Sequence, residues 1–179
     1  TVFPWAGQFV MRNGWDAAAQ WAFFETGPLG IGHWHSDKLH LSVAAYGRDI
    51  LVDGGRLTYQ SGPWRSFFTS SASHNVVLVD GHGQKEYAKE AQEPMTDNYA
   101  IAPEYDFVRG VYDAGFDNVE GKAIHTRAVY YQRGEWWLVA DRIATDRPHD
   151  ITALWHFHPE CTVTSDGANA VSTDDGKGN

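Results

Sequence analysis

The chain has 179 residues and a formal net charge of −9, from 14 basic and 23 acidic side chains, which speaks against a nucleic-acid or anionic-membrane partner wanting a basic stripe. Hydrophobic residues make up 42% and aromatics 14%, enough to bury a core and to exclude disorder over most of the length. The single cysteine, Cys161, excludes an intrachain disulfide, and no run of 18 apolar residues exists to cross a membrane.

The start, Thr1-Val2-Phe3-Pro4-Trp5, has neither the basic opening nor the apolar core of a signal peptide, so the chain reads as a piece of something longer. Strand signals then dominate. Residues 18–25 are aromatic-rich, and 39–46 alternate, with Leu39, Leu41, Val43 and Ala45 on one face. Residues 49–53 are short and apolar between Tyr46-Gly47-Arg48 and Gly54-Gly55, which predicts a hairpin. Residues 75–79 precede the turn signal Asp80-Gly81-His82-Gly83. Residues 85–102 are polar without a sustained period and predict a long loop or a short helix. Strands follow at 107–112, 123–131, 136–143 and 151–158, punctuated by Arg133-Gly134 and Asp146-Arg147-Pro148. The pattern predicts an all-β, antiparallel two-sheet sandwich over 1–165, with 166–179 a frayed tail or linker rich in Gly, Asp and Ser.

Chemistry concentrates in Gly32-His33-Trp34-His35-Ser36-Asp37, then Asp53-Gly54-Gly55, then Ser73-His74-Asn75. If the strand at 39–46 begins early, His33, His35 and Asp37 share the inward parity of Leu39 and Leu41. Imidazoles and a carboxylate converging from separate strands suit a borderline metal such as zinc. Each piece also has a plain structural reading: loop histidines bonded to backbone, and an Asp-Gly-Gly turn. A second His-x-His, His156 and His158, has no partner beyond Glu160 and reads as structural. Eight tryptophans are expected mostly in the core, with Trp34 and Trp64 the better candidates for stacking on a sugar.

The run from Gly30 to Gln84 resembles the β-sandwich domain of heparinase II/III-like polysaccharide lyases, a group that includes oligoalginate lyases. The matching elements are Gly32-His33-x-His35-x-Asp37-x-Leu39, Leu51-Val52-Asp53-x-Gly55 with Tyr59 and Arg65, and Ala72-x-His74-Asn75-x-Val77-x-Val79-Asp80-Gly81 with Gln84. Met11-Arg12 and His125-x-Arg127 fit the same pattern. The resemblance implies that His35, Asp53 and His74 hold one mainly structural zinc, that His33 points into the cleft as a catalytic participant, and that Tyr59 and Arg65 lie near substrate. It implies β-elimination on an acidic, uronate-containing polysaccharide by a periplasmic or secreted parent protein. An N-terminal α/α toroid, absent from this chain, would supply the other cleft wall, so the 179 residues alone are expected to be inactive. Two rival readings are a non-catalytic carbohydrate-binding sandwich and a cupin-like metalloenzyme. A cupin-like site calls for a Glu soon after the His pair, and none follows.

Overall fold

A computed structural model describes residues 1–96, 98–167 and 169–176. Five strands form the first sheet in sequential antiparallel order: β1 (Val2–Phe3), β2 (Gln8–Arg12), β3 (Trp21–Glu25), β4 (Leu41–Ala45) and β5 (Arg48–Leu51). The second sheet runs β10-β9-β8-β7, from β7 (Tyr99–Ile101), β8 (Tyr105–Tyr112), β9 (Ala123–Gln132) and β10 (Trp136–Thr145). A small ladder pairs β6 (Val77–Val79) with β11 (Ile151–Ala153). Period-2 burial builds both layers: β2 buries Phe9 and Met11, β4 buries Leu41, Val43 and Ala45, and β9 buries every odd residue from Ala123 to Tyr131. Phe24, Leu41, Val77, Val108, Val129 and Tyr131 meet in one core cluster between the sheets, so the expected all-β sandwich is what forms.

Two differences from the sequence expectation bear on the site. The strand at 39–46 does not extend back to the histidine pair; residues 31–40 are loop, and β4 begins at Leu41. Leu39 takes a left-handed φ of 72° and His33 one of 54°, so the alternation that would have aligned His33, His35 and Asp37 with Leu41 is broken. Leu39, His40 and Leu41 are consequently buried in succession. The second difference is α1 (Pro63–Thr69), a seven-residue helix that the Gly-Pro sequence hides; Pro63 opens it, where its fixed φ and missing N–H cost nothing.

Residues 85–102 are loop up to β7, apart from position 97, which lies outside the described residues. Tyr87 and Met95 from this loop pack on the core. At the C-terminus, β12 (Thr162–Ser165) and β13 (Val171–Asp174) pair as an exposed antiparallel hairpin where composition suggested a frayed end. Positions 168 and 177–179 of that segment lie outside the described residues. Against the expectation of core packing, Trp5, Trp15 and Trp136 are exposed, as are the two stacking candidates Trp34 and Trp64.

The two layers are joined by a charge. Arg127 on β9 is fully buried and donates Nε to Asp141 Oδ1 at 2.8 Å and Nη2 to Oδ2 at 2.9 Å. Its Nη1 reaches the carbonyls of Leu39 (2.9 Å) and Asn75 (2.5 Å), and His125 Nε2 meets Asp141 Oδ1 at 2.7 Å. Removing one partner of such a pair leaves a buried charge uncompensated. Arg127→Met is therefore expected to lower unfolding stability by about 3–5 kcal/mol, read as an earlier urea midpoint; a loss below about 1 kcal/mol would show the pair to be dispensable.

Candidate metal centre and cleft

Three segments deliver the cluster. Asp53 follows β5, where Gly55 takes φ 63° and its N–H bonds Asp53 Oδ1 at 2.5 Å. Gly54 lies so close to the next segment that a Cβ would sit 2.8 Å from the Ser73 carbonyl oxygen and 3.0 Å from its Cβ. A single 3₁₀ turn, Ser71–Ser73, ends at His74, whose side chain is fully buried. His35 comes from the loop before β4. That loop is pinned by Ser36 N–H to the Thr69 carbonyl (2.9 Å) and by Gln84, whose amide bonds both backbone groups of Lys38.

One ligand atom each of His35, Asp53 and His74 lies within 4.8 Å of the others. His74 Nδ1 is 2.8 Å from Asp53 Oδ2, and the His35 and His74 rings are 5.1 Å apart. His74 Nε2 is buried with no partner among the described residues. Buried imidazole nitrogens normally find one, and the donor set of two imidazoles and a carboxylate suits a divalent ion such as zinc. The three residues thus fit a metal and could hold one. Among the described residues no other His, Cys, Asp or Glu group converges in this way.

Residues beyond the three expected ligands support the cluster. His40 is buried; its Nδ1 accepts the Asn75 N–H (3.0 Å), which leaves Nε2 to donate toward Ser42 Oγ (2.8 Å) and Asp53 Oδ2 (3.3 Å). Burial pushes His40 down to about 3, so it is a neutral donor. Burial would raise the Asp53 carboxyl, but the His74 hydrogen bond, with the neighbouring imidazoles and the Gly55 N–H, brings it below its ordinary value. Burial lowers His35, and its neighbour His74 lowers it further, which favours the neutral ring. Asn75, fully buried, donates to the Leu41 and Val52 carbonyls (2.9 and 3.0 Å) and accepts the His156 N–H (2.6 Å). His156 is thereby tied to the buried Asn75 amide.

Outside the cluster, His33 is exposed, with Arg56 Nη1 3.0 Å and the Tyr59 hydroxyl 3.3 Å from its Nδ1. Arg56 also places Nη2 3.3 Å from His35 Nε2 and its guanidinium 5.0 Å from the Tyr59 ring. Arg65, on α1, lies 5.8 Å from the same Tyr59 ring. No sequence signal marked Arg56; only the fold brings it to both histidines. His33, Trp34, His35 and Asp37 line a cleft of about 590 Å³ together with Glu25 and Lys89. Trp34 and Trp5 border this cleft, whereas Trp64 sits on α1, 6.2 Å from the Phe68 ring, and does not line it. Burial holds the Asp37 carboxyl up at about 6 and that of Glu25 at about 7.

A family model described as Heparinase II/III-like, C-terminal, matches residues 1–179. Among curated proteins no sequence matches the chain. Solved structures with the same fold include a heparinase III, the BT4657 gene product, with TM-score 0.76 and 17% identity over 93% of this chain and 25% of that one. The heparan sulfate lyase HepC from Pedobacter heparinus superposes with TM-score 0.71 and 18% identity, over 90% of this chain and 24% of its own. A further heparinase III gives TM-score 0.70 and 20% identity over 92% and 26%. The chain spans about a quarter of the length of these enzymes.

Two outcomes follow from the geometry. Gly54→Ala must push Ser73, and with it His74, away from Asp53; a loss of about 1–3 kcal/mol in denaturant unfolding is expected, with shifted His74 ring resonances. Unchanged stability and resonances would mean the turn yields freely. Glu25 is the second case. Its folded value of about 7 lies above the ordinary 4.5, so the folded state holds a proton that the unfolded state has released. Stability should fall as pH rises between about 4.5 and 7, and that component should vanish in Glu25→Gln when the two pH profiles of urea unfolding are compared.

Proposed function

The chain belongs to the Heparinase II/III-like C-terminal family, and from that premise we propose that it is the β-sandwich portion of a polysaccharide lyase acting on uronate-containing polysaccharide by β-elimination. The observation that carries the reading is the convergence of His35, Asp53 and His74 beside the His33–Arg56–Tyr59 group, with His33 and His35 lining one cleft. The same fold in two heparinases III and a heparan sulfate lyase supports it.

In such an elimination a base removes the proton at C5, its electrons form the C4–C5 double bond, and the C4–O bond breaks with protonation of the departing oxygen. The C5 proton becomes acidic enough only when the adjacent carboxylate is neutralised or hydrogen-bonded. Arg56 donates, so the His33 nitrogen facing it is the lone-pair nitrogen, and the ring proton is at Nε2. That proton can serve the carboxylate or the leaving oxygen. Tyr59 and Arg65 add an aromatic ring and a cation beside His33, and Trp34 in the cleft offers a sugar-stacking face. Zinc held by His35, Asp53 and His74 would supply fixed positive charge and brace three loops of the wall. The base and the rest of the carboxylate clamp belong, in this reading, to an N-terminal α/α toroid, and the parent protein works in the periplasm or outside the cell.

A non-catalytic carbohydrate-binding sandwich is the second reading, favoured by Trp5 and Trp34 exposed along the cleft. The cupin-like reading loses its basis, because His33 and His35 sit on a loop and not on a barrel strand.

Elemental analysis tests the metal: near-stoichiometric zinc is expected in the purified chain and its loss in His35→Ala and Asp53→Ala. A metal-free unmutated protein would return these residues to a purely structural role. The chain alone should yield no rise in unsaturated-uronate absorbance on heparan, hyaluronan or alginate oligomers. Fused to its toroid it should be active, and His33→Ala should then lower kcat by about 10²-fold or more. Full turnover by the fused His33→Ala protein would remove His33 from the chemistry.

A further inference from the structure

We propose that Arg56 couples metal occupancy of the His35–Asp53–His74 cluster to capture of a uronate carboxylate beside it, an inference that rests on the lyase reading above. Arg56 can only donate hydrogen bonds, so the two nitrogens it meets, His33 Nδ1 at 3.0 Å and His35 Nε2 at 3.3 Å, both present lone pairs. A neutral imidazole has one such nitrogen. In that tautomer Nε2 is the His35 atom available to a metal. Arg56 and a metal compete for that lone pair, and Arg56 must give up Nε2 when it is committed to an ion.

The freed guanidinium has an evident use. Among the described residues its partners are the two imidazoles and the Tyr59 ring, none of them an anion. Arg65 lies 5.8 Å from the same ring and, among the described residues, otherwise reaches only the Thr58 carbonyl, at 3.4 Å. Two arginines without a carboxylate thus flank one exposed aromatic ring, in a chain of net charge −9. The planar fork of Arg56 matches a carboxylate with two parallel bonds, and the Tyr59 face suits the sugar ring that bears it. Metal-free, the fork is occupied by histidines; metal-loaded, it is open to substrate. Coupling between two sites is reciprocal, so the carboxylate must tighten metal binding as much as metal tightens carboxylate binding.

The test is zinc affinity, measured by chelator competition on the purified chain, with and without saturating sodium glucuronate. Arg56→Ala removes the competitor for Nε2 and should bind zinc about three- to tenfold more tightly. Arg56→Lys keeps the charge but cannot span both rings, and should also bind more tightly than the unmutated protein. Glucuronate should tighten zinc binding to the unmutated protein and leave Arg56→Ala unaffected. If Arg56→Lys matches the unmutated protein while Arg56→Ala binds tighter, simple charge repulsion accounts for the effect and the coupling is wrong. It is equally wrong if glucuronate tightens zinc in Arg56→Ala too, since the sugar then ligates the metal directly. Zinc bound with unchanged affinity in both variants overturns the coupling and leaves the metal site standing. No zinc binding by the unmutated protein removes the site and the coupling together.

Discussion

A single buried guanidinium holds the two halves of this structure in register. Arg127 rises from the second sheet into an interior where an unpaired cation would be untenable. Asp141 neutralises it through two parallel bonds, and the remaining donor reaches the carbonyls of Leu39 and Asn75. Those two carbonyls belong to the first sheet's side of the molecule. Leu39 immediately precedes His40, and Asn75 immediately follows His74. The ion pair therefore does more than satisfy itself: it clamps the backbone at the two points from which the candidate cluster is hung. It also stabilises Leu39 in a left-handed conformation that a branched side chain adopts only at a cost of about 1–2 kcal/mol.

From that clamp outward the site is layered by chemistry. Innermost is Asn75, whose amide ties β4, the Val52 carbonyl and His156 together. Next comes His40, a neutral donor aimed at Asp53. Then follow Asp53, His74 and His35, and outermost His33, Arg56 and Tyr59 at the cleft. Exposure rises from the buried Asn75, His40 and His74 to the exposed His33 and Tyr59. That is the order expected where a scaffold must present a few reactive groups on loops without losing their geometry. It also keeps the candidate cluster preformed in a chain that spans about a quarter of the length of its structural neighbours.

The architecture was readable from residue pattern because alternation along β2, β4, β8 and β9 is clean and the turns carry Gly, Asn or Asp at left-handed positions. The membership of the cluster was readable from motif likeness. Its local structure was not: parity counted back from Leu41 fails at Leu39, where one left-handed residue resets the faces. α1 escaped because seven residues offer too little periodicity, and it lacks a side-chain N-cap to announce it. Arg56 and the Arg127 clamp escaped for a different reason. Each acts on residues far away in sequence, and a lone arginine carries no spacing that foretells its partner. The tryptophans misled through a rule of averages, since aromatic abundance in β proteins does not say which rings a given sandwich leaves at its rim.

The placement of those rings has an optical consequence. Five of eight indoles are already in water, so bulk tryptophan emission changes little when the fold is lost. Of the three half-buried indoles, Trp155 is the one worth watching: it lies 4.8 Å from the Arg127 guanidinium. A cation held that near an indole perturbs its excited state. Trp155 is thus a built-in lamp wired to the clamp, and a chain in which the other seven are replaced by phenylalanine would report the making and breaking of that one buried charge by light.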